Sequence, residues 1–124
     1  MGGKDPRGRD AFRQQRPGWP LPIHALFVKA GVTIFFQGHD HLYARQERDG
    51  VIYQEVPNPA DPTYQTFNRE AYRSGELRPN SGHLRVTVAP ERVRMDYVNA
   101  FLPGDEGPGR TNGQVAHTYL IGRP

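Results

Sequence analysis

Apolar side chains recur at helical spacing in residues 21–30, at Ile23, Leu26, Phe27 and Ala30. Side chains three and four positions apart share one side of a helix, so this spacing predicts a short amphipathic helix. Pro22 suits the first turn, where the N–H that proline lacks would be unpaired in any case. Gly31 then ends the helix, because glycine readily adopts the left-handed conformation that closes many helices.

An almost continuous apolar run follows in residues 32–36 and predicts a β-strand. The run is rich in β-branched and aromatic side chains, and its lack of alternation predicts a strand that is buried on both faces. Helix, glycine, buried strand and a loop that starts at Gly38 together form an α/β unit. Open α/β sheets place their functional sites at such strand ends.

A β-hairpin is predicted after this loop. Residues 42–47 and 51–56 flank Asp49-Gly50, which is a favoured two-residue turn. Residues 57–81 then form a long, proline-bearing loop with one helical turn near residues 68–72. Loops of this length in a compact domain usually have a function or pack over another part of the protein.

Alternating apolar and polar residues predict a second hairpin, with strands at residues 84–88 and 93–97. Residues 102–113 form a further loop rich in glycine and proline, and residues 114–121 form a final strand. Together these elements predict an α+β fold that is dominated by β-sheet, with one main helix and two hairpins. Residues 1–17 are polar and lack periodicity, which predicts an irregular N-terminal arm before a single domain at residues 18–124.

Composition narrows the function classes. The 124 residues contain no cysteine, which excludes disulfides, cysteine-ligated zinc and a thiol nucleophile. The net charge of +3 is spread along the chain without a basic run interleaved with aromatics, so nucleic acid is not indicated. We expect no membrane-spanning segment and no signal peptide, and the sequence assigns no compartment.

The motif Gly38-His39-Asp40-His41 carries the candidate chemistry. Gly38 permits a sharp backbone turn, and imidazole is the commonest protein ligand for zinc and similar metals. Two histidines at this spacing project the same way in an extended loop, whereas in a tight turn they diverge enough to meet two metal ions. Between them, Asp40 is able to ligate a metal, orient a ligand histidine or cap a turn.

The run from Ile23 to Tyr43 closely resembles the last signature block of calcineurin-like metallophosphoesterases, in the purple-acid-phosphatase-like superfamily. In that family a helix ends in Lys-x-Gly-Val, a buried strand follows, and Gly-His-x-His ends the strand. An aromatic and a basic residue come next, matched here by Tyr43 and Arg45. Weaker similarity extends the match to roughly residues 17–121, through the run that starts at Asp49 and the run that starts at Ser81.

The resemblance implies hydrolysis of phosphate mono- or diesters by a metal-activated hydroxide, and a partial metallophosphoesterase sandwich as the fold. It implies that His39 and His41 ligate zinc, manganese or iron, with Asp40 as a further candidate metal ligand, and that these three residues are catalytic. Tyr43 and Arg45 become candidate substrate-binding residues. For Tyr43 a place in the core, and for Arg45 a solvated position, remain alternatives.

The chain departs from the family because the motifs that supply the other metal ligands are absent. A catalytic zinc site usually has three protein ligands. Asp40, His24 or a second copy of the chain are candidates for the missing donors, although His24 suits packing or capping better. The sequence thus predicts a phosphoesterase with reduced activity or, alternatively, a non-catalytic metal-binding or dimerisation module derived from one.

We also expect a homo-oligomer. The family fold covers both faces of the sheet that contains residues 32–36, and the predicted helix covers one face only. Exposed apolar surface costs on the order of 25 cal/mol per Å², so a few hundred Å² amount to several kcal/mol. A twofold partner would supply the missing layer and bring a second His39-Asp40-His41 loop near the first.

Overall fold

The computed structural model describes residues 5–122 and has an α+β fold dominated by β-sheet. The elements are α1 (Phe12–Gln15), α2 (Ile23–Lys29), β1 (Ile34–Gln37), β2 (Leu42–Arg48), β3 (Val51–Glu55), a 3-10 turn (Arg69–Ala71), β4 (Glu76–Pro79), β5 (Gly82–Ala89), β6 (Arg92–Asn99), a second 3-10 turn (Pro103–Asp105) and β7 (Val115–Gly122). This confirms the predicted fold class, the main helix, both hairpins and the final strand.

The described residues form two compact units. The first contains the residues up to Phe35 together with Glu47–Ile52, and the second contains Phe36–Gln46 together with the residues from Tyr53 onward. Of the predicted N-terminal arm, residues 1–4 lie outside the described residues. The rest of that arm contains α1, which begins at the buried Phe12. In the first unit the rings of Phe27 and Phe35 pack with their centroids 4.9 Å apart.

The four-stranded sheet has the order β1-β3-β2-β4. Its first hairpin turns at Asp49 and Gly50, whose φ angles of 50° and 77° suit the primed turn that the Asp-Gly pair predicts. The prediction that residues 32–36 are buried on both faces is wrong. Strand β1 lies at the edge of this sheet, its other residues are half-buried, and Phe36 remains 43% exposed.

Strand β4 was not predicted, because Glu76–Pro79 has no apolar alternation and ends in proline. It pairs antiparallel with β2 from Leu42↔Pro79 to Arg45↔Glu76. A sheet edge tolerates proline because the N–H that proline lacks is not needed for pairing there. The long loop predicted at residues 57–81 therefore contains both the expected helical turn and an edge strand.

The three-stranded sheet has the order β5-β6-β7, with both pairs antiparallel. In the second unit, Tyr43 of β2 stacks on Tyr97 of β6 with centroids 4.8 Å apart and planes 9° from parallel. The Tyr43 hydroxyl is 2.7 Å from Nδ1 of His117 on β7, and both tyrosines are about 1% exposed. Such a pair contributes roughly 0.5–1.5 kcal/mol beyond its burial, and it fixes the start of β2.

No helix within residues 5–122 is long and apolar enough to cross a membrane.

We predict that Gly82→Ala lowers the free energy of unfolding by about 1–3 kcal/mol, the usual cost of overfilling a packed site. A Cβ at Gly82 would collide with the carbonyl oxygen of Val98 and with the Tyr97 ring. Urea denaturation gives the measurement. Gly104→Ala is the control, because nothing lies within 4 Å of the added Cβ there. Equal stability of the two variants would contradict the packing described.

Candidate functional site

The Gly38-His39-Asp40-His41 loop joins β1 to β2 and lies within the second unit. The backbone N–H of Val56 donates to the Gln37 carbonyl at 2.7 Å, so pairing continues to the last residue before the loop. His39 has a positive φ of 153°, which side chains rarely adopt. Such outliers persist where the surroundings enforce them, and they cluster at functional sites.

The buried carboxylate of Glu55 holds the loop through a hydrogen bond to its backbone. Glu55 is the last residue of β3 and is 3% exposed. Its Oε1 accepts the N–H of Asp40 at 3.0 Å, and the Gln37 side chain and the His39 N–H also act to stabilise the charge of its carboxylate. Burial raises the pKa of Glu55, and these donors partly offset that effect. The carboxylate therefore holds the His39–Asp40 peptide through the Asp40 N–H.

The Asp40 side chain is engaged by the long loop after β3. Asn68 donates to Oδ1 and Tyr72 donates to Oδ2, each at 2.7 Å. The hydrogen bond from Asn68 is the main cause that lowers the pKa of Asp40, with smaller contributions from Tyr72 and the two neighbouring histidines. Burial and the hydrogen bond to Asp40 raise the pKa of Tyr72. Both oxygens of Asp40 thus accept a hydrogen bond within the chain.

The imidazole of His41 is oriented by Asp61. Nδ1 of His41 lies 3.0 Å from Oδ2 of Asp61, which is buried, while the His41 side chain is 47% exposed. Hydrogen bonds from the Thr63 hydroxyl and N–H lower the pKa of Asp61. Asn80, 2% exposed, donates from Nδ2 to the His41 carbonyl at 2.6 Å and to Asp61 Oδ2 at 3.3 Å. The ring is therefore held at Nδ1, and the Phe67 ring lies against it with centroids 5.9 Å apart.

The remaining histidines occupy other positions. His39 is exposed on the loop, and His83 is exposed on β5. In the first unit, Nε2 of His24 lies 2.8 Å from Asp49 Oδ2, which gives His24 a partner at the hairpin turn. His117 lies half-buried beside Tyr43, and burial lowers its pKa. His24 as a ligand thus remains a prediction, and His117 is held by its contacts with Tyr43.

The two candidate substrate-binding residues lie on β2. Tyr43 is 1% exposed, and its hydroxyl is hydrogen-bonded to His117. The guanidinium carbon of Arg45 lies 4.7 Å from the centroid of the Tyr119 ring. These contacts give both side chains a packing role, and contact with a phosphate ester stays a prediction for them.

The donor set fits a metal ion only in part. Imidazole is a suitable ligand, and His39 and His41 both expose it. Within residues 5–122, however, no group of three or more His, Cys, Asp or Glu side chains is placed to hold a metal. The carboxylate of Asp40 is bonded to Asn68 and Tyr72 in this arrangement.

Comparison of the chain with protein-family models and with curated proteins found no match. The resemblance to calcineurin-like metallophosphoesterases stays a prediction carried by the motif residues.

The residues that hold the loop escaped sequence analysis. Asn80 lies in the bend between β4 and β5, and its side chain ties the His41 carbonyl to Asp61. Asp61 two residues before Thr63 is a recognisable turn signal, and Thr63 does donate its N–H to Asp61 at 2.9 Å. The pairing of Asp61 with His41, 20 positions away, has no sequence signal.

We predict that Asp40→Asn lowers the free energy of unfolding by roughly 1 kcal/mol at pH 7, because the hydrogen bonds from Asn68 and Tyr72 lose their charged acceptor. The folded-state pKa of Asp40 is lowered, so its contribution is present above the unfolded-state pKa of about 3.9. The contribution is lost as pH falls through the folded-state pKa. Denaturation curves from pH 7 to pH 3 give the measurement.

Glu70→Gln is the matched control, because Glu70 is an exposed carboxylate in the same loop. Glu70→Gln should leave the free energy of unfolding close to that of the wild type at every pH. A destabilisation by Asp40→Asn that stays constant down to pH 3 would contradict the assigned anchoring.

Proposed function

We propose that the chain takes part in metal-dependent hydrolysis of phosphate esters, with His39 and His41 as metal ligands. The observation that supports this most is the arrangement of the loop. Two exposed histidines flank an aspartate whose N–H and carboxylate are both held by the protein. A surface loop that only connected two strands would not need hydrogen bonds to three other residues, here Glu55, Asn68 and Tyr72. Metal binding does need them, because ligand geometry must be held closely.

A bound zinc, manganese or iron ion would supply Lewis-acid activation of water and of the phosphate ester. The chain's own residues supply the position of the ligands. Glu55 holds the peptide between His39 and Asp40, and Asp61 orients the ring of His41. The net charge of +3 also favours approach of an anionic ester.

In this proposal the metal ligands other than His39 and His41 come from outside the Gly38–His41 loop. A second copy of the chain is one source of them. Exposed apolar side chains support self-association. Leu26 and Val28 on α2 are 46% and 43% exposed, and β1 leaves one edge of its sheet unpaired. Unpaired edges and exposed apolar residues are the features through which proteins associate.

The second candidate function is a non-catalytic metal-binding or dimerisation module. The engagement of Asp40 by Asn68 and Tyr72 favours it, because Asp40 then acts as an anchor of the loop. Two histidine ligands suffice for metal bound between copies, whereas catalysis usually requires three protein ligands and a water site.

We predict that the wild-type protein binds zinc, manganese or iron and that the double variant His39→Ala, His41→Ala binds none, because the only imidazoles of the loop are removed. Elemental analysis of the purified proteins gives the measurement.

Any hydrolysis of a chromogenic phosphate ester should be weak, should stop with a chelator and should be absent in the double variant.

His83→Ala is the control, because His83 is an exposed histidine outside the loop, and it should keep the wild-type metal content. Metal retained at the wild-type level by the double variant would refute the ligand assignment. Hydrolysis without metal would refute the phosphoesterase proposal, whereas bound metal with no hydrolysis would favour the non-catalytic module.

A further inference from the structure

Asp61 is buried, and both of its carboxylate oxygens have defined partners, which distinguishes its contact with His41 from an exposed ion pair. The residue is 8% exposed, and its two carboxylate oxygens face different partners. Oδ1 accepts the Thr63 N–H at 2.9 Å and the Thr63 hydroxyl at 2.6 Å. Oδ2 lies 3.0 Å from Nδ1 of His41 and accepts from Asn80 at 3.3 Å. Thr63 and Asn80 thus hold the carboxylate in the position from which it contacts the imidazole of His41.

Asn80 connects this carboxylate to the backbone of the same histidine. Its Nδ2 donates to the His41 carbonyl at 2.6 Å, and its Oδ1 accepts the N–H of Asn58 at 3.0 Å. The Phe67 N–H also donates to the His41 carbonyl, at 3.3 Å. His41 is therefore held at both its ring and its main chain by the segment between β3 and β5.

The chemistry of the contact decides which ring nitrogen carries the proton. An aspartate is ionised at neutral pH and only accepts hydrogen bonds, so Nδ1 of His41 must be the donor. In the neutral ring the proton then sits on Nδ1, and Nε2 keeps its lone pair. Histidines that bind metals commonly give their second nitrogen to a carboxylate in this way, which fixes the tautomer and the ring orientation.

We propose that Asp61 is the positioning residue of His41: its carboxylate keeps the proton on Nδ1 and makes Nε2 the atom that ligates a metal. The ligation part of this inference rests on the proposed function, and the tautomer part stands without it. The inference also assigns a function to the long loop at residues 57–81, which delivers Asp61, Thr63 and Asn80 to one histidine.

The test compares wild type with Asp61→Asn by nitrogen NMR of the histidine side chains in the metal-free proteins, followed by titration with Zn²⁺. In wild type, His41 should be the Nδ1–H tautomer. In Asp61→Asn the fixed tautomer should be lost, and the affinity for Zn²⁺ should fall about 10–100-fold. Asp105→Asn is the matched control, because Asp105 accepts a hydrogen bond from Tyr64 in the same unit. It should change neither reading.

Thr63→Val gives a second route if Asp61→Asn does not fold. It removes the hydroxyl donor to Asp61 and should shift the tautomer and the affinity in the same direction, by a smaller amount. An unchanged tautomer together with Zn²⁺ affinity within about twofold of wild type would overturn the inference. If wild type binds no Zn²⁺ but Asp61→Asn still alters the tautomer, the proposed function fails and the positioning of the ring is supported.

Discussion

The arrangement of the candidate site depends on one buried carboxylate. Glu55 is the last residue of β3, and its Oε1 accepts the backbone N–H of Asp40 at 3.0 Å. A buried carboxylate is costly unless several donors compensate for its lost hydration. The loop supplies those donors, so the glutamate and the loop stabilise each other.

Other contacts extend this constraint into the rest of the second unit. Asn68 and Tyr72 hold the side chain of Asp40, and Asn80 and Asp61 hold His41. All four belong to the segment between β3 and β5, which also contains a 3-10 turn and β4. The effect is to hold a short loop rigidly while its two imidazoles remain exposed. Such support is consistent with the proposed metal site, because ligand geometry must be held closely.

The sequence predicted the elements better than it predicted the site. Helical spacing before Gly31, the Asp49-Gly50 turn and the alternation in residues 84–88 each reflect local geometry, and the structure has all three elements. The prediction that residues 32–36 are buried on both faces was wrong. Burial depends on which strand occupies the sheet edge, and the composition of a strand does not show this. The partners of Asp40 and His41 lie 15 to 39 positions away, so only the folded chain brings them together.

The most direct test is the position of a metal in a crystal of the protein grown with Zn²⁺, located by anomalous scattering. The account predicts an ion about 2.0–2.1 Å from Nε2 of His41, with the Nδ1–Asp61 contact intact and Asp40 still bonded to Asn68 and Tyr72. An ion bound through Nδ1 of His41, or bound away from this loop altogether, would contradict it.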